Sequence, residues 1–341
     1  MRVGLFGICA AYWPGALGQA VRKSGGALVA AAHLGDDPAL IEKLVGASPE
    51  AFARSMGLAL YEDPAEMIRK EGLGAVCISG PHSKLVDYCE LAAAQGCHFY
   101  VAKPMCTSVE AADRIVAAAR AHRVIATSGM TERFDSALAA AHKLVSAGAI
   151  GEVISVRALH QHGQYTFHPD DWWGDPEQGG PELSLVWYAY DCARWFVGSE
   201  AARVAAEYGN FTSPQSPFMD NGKLLIRFQG GQLGSLDIYF SVDFEFPRWE
   251  IEVMGTEGAI RTTQDAYEGT LFTADGPQRF SRSPNDLLAA EVGDWLAAAQ
   301  AGRDPLVTIE DARQVMALCF AACTAAQQGR VVALSEAPPA R

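Results

Sequence analysis

At 341 residues the chain is too long for one ordinary core and suits two domains. Its 49% hydrophobic and 20% charged residues exclude a disordered chain, and no apolar run is long enough to span a bilayer. A formal net charge of −13 argues against a nucleic-acid partner, because nothing in the chain would neutralise a row of phosphates.

The first residues turn to glycine and polar groups too early for a signal peptide, so a cytoplasmic protein without membrane attachment is expected. The run 2–7 reads as a strand, 14–23 as a helix and 27–33 as a second strand, followed by helical pieces to about 56. Residues 74–80 read as a buried parallel strand, 82–95 as a helix stopped by Gly96, and 98–102 as another strand. Thr107-Ser108-Val109-Glu110 opens a helix in the manner of a capping box, and that helix runs to about His122, ahead of a strand at 124–129. Strand-helix alternation of this kind predicts a Rossmann-like, doubly wound parallel sheet over 1–125.

Beyond residue 150 the period changes to two. Segments 151–163, 223–244 and 248–263 alternate as hairpin-connected strands, with Gly230-Gly231 as one turn and a helix interrupting at about 181–197. Helices at about 285–301 and 308–328 close the chain. The expectation is an α+β domain over 126–334, closing helices included, built on a large, mainly antiparallel open sheet. The eight cysteines sit mostly in apolar runs without a CxxC pair and read as reduced, buried small hydrophobes.

Several landmarks recur in a fixed order: Pro81 after the strand 74–80, Lys103-Pro104-Met105, then the segments 132–138, 146–153, 175–180, 191–198, 255–258 and 328–334. Together they resemble the glucose–fructose oxidoreductase/inositol dehydrogenase (Gfo/Idh/MocA) family over nearly the whole chain. The resemblance implies NAD as cofactor, a small polyhydroxylated substrate, and a homodimer or homotetramer assembled on the open sheet face; no metal is expected, because the His160-x-His162 pair has no further ligands at a spacing that specifies a metal geometry. It places Gly7, Cys9, Ala10, Tyr12, His33, Ser79, Pro81 and Lys103 at the cofactor.

A dinucleotide fingerprint wants three glycines, and the turn Gly7-Ile8-Cys9-Ala10-Ala11-Tyr12 supplies only Gly7, with Cys9 and Tyr12 in the other two places. A side chain at Cys9 is expected to crowd the pyrophosphate, so binding should be weak or displaced around the loop 8–15. His33 stands where the acid that takes the ribose belongs; Asp36 or Asp37 could reach instead, and with no basic residue there NAD is favoured over NADP.

By resemblance, Lys103 hydrogen-bonds the reacting hydroxyl, and the family's Asp, His and Asp correspond to Ser184, Tyr188 and Asp191, on one helix face. Tyr188 would pass the proton, as tyrosine does in some branches of the family; simple aromatic packing is the other reading. His160, His162 and Trp172 are read as lining a sugar pocket or as structural. The expected activity is hydride transfer on a sugar, a cyclitol or a related compound, with Lys103 and Tyr188 catalytic. The competing readings are a non-redox hydrolase or isomerase working through His160, His162 and His168, and a sugar-binding protein without turnover.

Overall fold

The computed structural model describes residues 1–163, 175–179, 186–246, 248–263 and 267–336. They form two compact units, one of Met1–Thr131 with Asp286–Arg313 and the other of Glu132–Asn285 with Gln314–Arg341.

The first unit is a six-stranded sheet of β1 (Arg2–Phe6), β2 (Ala27–Ala32), β3 (Ala59–Tyr61), β4 (Ala75–Ile78), β5 (His98–Val101) and β6 (Ala126–Ser128). The strand order is β3-β2-β1-β4-β5-β6, and every pair is parallel. This order reverses between β1 and β4, and at such a switch point the carboxyl ends of the strands leave an open crevice. The strands read as continuous apolar runs because helices cover both sheet faces. Those helices are α1 (Trp13–Lys23), α2 (Pro38–Val45), α3 (Pro49–Ser55), α4 (Pro64–Glu71), α5 (Leu85–Ala94) and α6 (Val109–His122). Local chemistry sets their starts: Ser108 Oγ accepts from Ala111 N to cap α6, while Asp37, Ser48 and Asp63 cap α2, α3 and α4 ahead of a proline in each first turn.

The second unit opens with α7 (Ser136–Ser146), which Asp135 caps by accepting from Ala137 N and Leu138 N. Its sheet comprises β7 (Val153–Gln161), β8 (Ala201–Gly209), β9 (Asn221–Phe228), β10 (Leu233–Tyr239), β11 (Trp249–Gly255), β12 (Gly258–Thr263), β13 (Glu268–Thr273), β14 (Gly276–Ser281) and β15 (Val332–Ala333). The order is β14-β13-β12-β11-β7-β10-β9-β8-β15. All pairs are antiparallel except β7 with β10, which makes the sheet mixed. Helix α8 (Trp187–Val197) packs on its β7 side, and Gly198 ends that helix in the left-handed conformation.

The closing helices α9 (Leu287–Ala301) and α10 (Ile309–Gln328) do not both belong with the large sheet, contrary to the sequence boundary. Helix α9 lies in the first unit, where Trp295 Nε1 donates to the Ile125 carbonyl at 3.2 Å and Ser24 Oγ donates to the Ala289 carbonyl at 2.7 Å. A chain-order reading cannot see this return, because the contacts that define it join residues far apart in sequence.

Candidate active site

In the first unit the turn after β1 lies against the turn after β4. Gly7 has φ +76°, and a Cβ there would sit 1.8 Å from the Ser79 carbonyl oxygen, so only glycine fits. Ser79 Oγ donates to the Gly7 carbonyl at 2.9 Å and locks the two turns together, with Pro81 opening the short helical turn that follows. Cys9 is completely buried and Ala10 is 3% exposed, whereas Tyr12 is 64% exposed and meets Trp13 edge-on at 5.3 Å. Cys9, expected to crowd the pyrophosphate, is thus enclosed by the protein, while Tyr12 stands open to solvent.

At the end of β2, Leu34 and Gly35 are both left-handed, and Asp36 N returns to the His33 carbonyl at 3.1 Å. This tight turn buries Asp36, whose Oδ1 accepts from Lys84 Nζ at 2.7 Å. Asp37 is spent on the cap of α2, accepting from Ala39 N at 3.0 Å. His33 keeps its side chain mostly buried, with Nε2 3.9 Å from Glu62.

Lys103 lies just past β5, before a cis peptide bond to Pro104, and is only 7% exposed. Lysine is rarely buried to this degree without a purpose. A Cβ on Gly129, after β6, would lie 3.7 Å from both Lys103 Cγ and Trp13 Cη2, and 2.8 Å from Tyr100 Oη. Trp13 and the stem of Lys103 thus converge on a position that only glycine leaves open. Glu291 of α9 braces this corner: Tyr100 Oη donates to its Oε2 and Met130 N to its Oε1, each at 2.7 Å. Ala102, the residue before Lys103, is buried and apolar.

In the second unit β7 carries His160, 3% exposed, and His162 follows its end; their ring centroids are 6.1 Å apart. Tyr188 of α8 is 8% exposed, and its ring lies 5.1 Å from that of His160. Trp249 on β11 pairs in register with His160 and stacks near it at 6.1 Å, while its buried Nε1 has no hydrogen-bond partner among the described residues. His162 stacks on Phe240 at 5.0 Å. The group of His160, His162, Tyr188 and Trp249 offers imidazoles, a phenol and an indole N–H on apolar walls. Burial raises the phenol pKa of the neighbouring Tyr190, whose oxygen accepts from Ala201 N.

Asp191, expected at the substrate, is held in an ion pair. It is 1% exposed, and both its oxygens accept from Arg133, Oδ2 from Nε at 2.8 Å and Oδ1 from Nη2 at 2.5 Å. The pair fastens α8, and with it Tyr188, to the turn before α7. Trp172 and Ser184, like His168, lie outside the described residues. No group of three or more His, Cys, Asp and Glu side chains able to hold a metal ion occurs among the described residues. Trp13, Lys84, Gly129 and Trp249 went unmarked in the sequence because no motif contains them; only their neighbours in space give them meaning.

Residues 15–130 match the sequence model of the oxidoreductase family with an NAD-binding Rossmann fold, and residues 138–261 match the Gfo/Idh/MocA C-terminal domain. The chain is 27% identical to a scyllo-inositol 2-dehydrogenase (NAD(+)) of Bacillus subtilis, over 84% of this chain and 85% of that protein. It is 25% identical to a myo-inositol 2-dehydrogenase of Thermotoga maritima, over 81% of this chain and 84% of that one. In structure it is similar to an oxidoreductase of Agrobacterium radiobacter solved with NAD+, L-tartaric acid and magnesium, with a TM-score of 0.82, 21% identity and 98% of each chain covered. A Rossmann sheet with its crevice lysine, a mixed sheet after it, and both halves matched in sequence lead to one conclusion: the chain belongs to the Gfo/Idh/MocA family of NAD-binding oxidoreductases.

Proposed function

We propose that the protein catalyses NAD-dependent hydride transfer on a carbon of a sugar, a cyclitol or a related polyhydroxylated compound. The observation that carries this reading is the buried Lys103 at the carboxyl end of β5, in a Rossmann sheet whose Gly7 turn has no side chain. The residues present fit the cofactor: Gly7 keeps the first turn bare, and the turn after β2 holds buried polar atoms without partners. Gly7, Ala10, Ser79 and Pro81 would hold it beside Lys103. Bound NAD supplies the hydride acceptor or donor.

The ammonium of Lys103 donates a hydrogen bond to the reacting oxygen, which favours its alkoxide over its hydroxyl form and so polarises the carbonyl in the reverse direction. Tyr188 exchanges the proton, and His160 beside it offers an imidazole to take that proton onward. Trp249 Nε1 suits a substrate hydroxyl oxygen, since an indole N–H is a donor only. The inositol dehydrogenase relatives support a cyclitol or sugar as the substrate class and lend no support to a hydrolase or isomerase.

The test is a panel of inositols, aldoses and sugar acids with NAD, followed by absorbance at the reduced nicotinamide. Lys103→Met and Tyr188→Phe should each lower kcat by about 100-fold or more. Full activity in Lys103→Met, or turnover of a lactone or sugar without NAD, would overturn the reading. The same reading includes a homo-oligomer assembled on the outer face of the large sheet, where Leu225, Leu233, Met254 and Phe272 are exposed. A monomer by light scattering would remove that part.

A further inference from the structure

We propose that Glu291 is a positioning residue for Lys103: its carboxylate fixes Tyr100 and the Gly129–Met130 peptide, and these form the wall against which the lysine stem is held. The proposal rests on the reading of Lys103 as the group that binds the reacting oxygen, and adds to it a residue from the late part of the chain.

Glu291 stands where packing alone would not put it. Helix α9 presses Val292, Trp295 and Leu296 into the first unit, and Val292 and Trp295 are completely buried. Glu291 lies one turn before Trp295 on the same side of the helix and is 1% exposed. A carboxylate in such a stripe is costly to bury unless strong donors meet it. An apolar side chain of similar size would fill the space without that cost.

The donors that meet it both border Lys103. Tyr100 Oη donates to Oε2 and Met130 N to Oε1, each at 2.7 Å. Tyr100 is completely buried on β5, just ahead of the lysine, and Met130 follows Gly129, whose missing side chain leaves room for the lysine stem. A Cβ on Gly129 would stand 2.8 Å from Tyr100 Oη and 3.7 Å from Lys103 Cγ. Phenol oxygen, glycine and lysine methylenes therefore lie against one another in that order, and the carboxylate ties the first two together. Trp295 sets the height of Glu291: its ring meets Tyr100 edge-on at 6.0 Å, and its Nε1 donates to the Ile125 carbonyl ahead of β6.

A lysine ammonium sits on a long flexible stem, so it is a precise donor only where that stem is confined. Glu291 confines it through Tyr100 and Gly129, by its hydrogen bonds. Glutamine can take over both bonds, because its Oε1 accepts from Met130 N while its Nε2 donates to Tyr100 Oη, a phenol oxygen being donor and acceptor alike. Alanine removes the acceptor of both and leaves the wall untied.

Acetylation of the full chain with acetic anhydride, followed lysine by lysine by mass spectrometry, tests this without substrate or cofactor; Lys43, exposed on α2, is the internal reference. In wild type Lys103 should react at least about 10-fold more slowly than Lys43. Glu291→Ala should raise that ratio about 5-fold or more, with the thermal midpoint as the check on folding. Gly129→Ala drives a Cβ against Tyr100 Oη and should raise it too, by a route that leaves Glu291 in place. Glu291→Gln should stay within about 2-fold of wild type. In NAD-dependent turnover Glu291→Ala should lower kcat by about 10-fold, glutamine should restore it, and NADH affinity should hold because the Gly7 turn is untouched. A Lys103 ratio that stays at the wild-type value in Gly129→Ala overturns the proposal even if Glu291→Ala does not fold, and so does a glutamine variant as impaired as alanine. Full turnover in Lys103→Met, with the labelling as expected, sinks the reading of Lys103 as catalytic and leaves its placement by Glu291 standing.

Discussion

Removing the carboxylate of Asp191 should destabilise the second unit far more than an average substitution does. Arg133 and Asp191 are 5% and 1% exposed at the side chain and share two hydrogen bonds, so each is the other's compensation for lost water. Breaking such a pair from one side costs about 3–5 kcal/mol, because the remaining charge stays buried. For a unit of this size that corresponds to roughly 6–20 °C in the midpoint of its transition. Replacing both partners by apolar residues removes the uncompensated charge as well, and such replacements are often close to neutral. Asp191→Leu and Arg133→Met should therefore each cost about 3–5 kcal/mol, while the double variant falls within about 1.5 kcal/mol of wild type. Urea unfolding followed by tryptophan fluorescence is a suitable assay, since the Arg133 guanidinium lies 5.8 Å over Trp195. If Asp191→Leu costs less than about 1 kcal/mol, or if the double variant costs the sum of the singles, the pair is not the fastening argued for α8.

Two further outcomes follow from local geometry. Gly7→Ala must carry a Cβ into the Ser79 carbonyl at a left-handed φ, so it should lose at least about 1–2 kcal/mol and weaken NADH by 10-fold or more; calorimetry showing unchanged NADH affinity would contradict the turn-to-turn packing. Burial lowers the pKa of His142, which stacks on Trp195 at 3.9 Å, below the ordinary 6.5. The unfolded chain then binds the proton first as pH falls, so the stability His142 contributes is complete above about 6.5 and is lost as pH drops through the lowered value. His142→Gln should flatten that part of the stability profile, and an unchanged slope between wild type and variant would count against it.

Much of the first unit was legible in the amino-acid order. The start of α6 was recognisable from Thr107-Ser108-Val109-Glu110 because capping acts over three residues, although the cap is Ser108 and not the Thr107 that the T-x-x-E spacing points to, and Gly96 was recognisable as the end of α5 for the same reason. The buried strands β1, β2, β4 and β5 announced themselves as short apolar runs between glycines. Strand β3 and helix α4 were missed: three residues carry too little periodicity, and α4 is largely polar on its exposed side. Strands β8, β13 and β14 were missed too, the last because five of its six residues are polar, glycine or proline and none is fully buried.

The candidate site divides in the same way. Gly7 and Lys103 could be singled out from sequence because each falls in a short local pattern, a glycine after a strand and a lysine before proline. A spacing rule says which position Cys9 and Tyr12 occupy in the turn, and only the fold shows that the first is buried and the second exposed. Asp191 shares a helix face with Tyr188, and only the presence of Arg133 across from it shows that its charge is already satisfied. Asp36 gains its meaning from Lys84, some fifty positions away and across β1. Periodicity and capping act over a few residues and are therefore written in the order of the chain. Burial, ion pairing and the unpaired atoms of the turn after β2 arise from strands laid side by side, so they exist only once the sheet has formed.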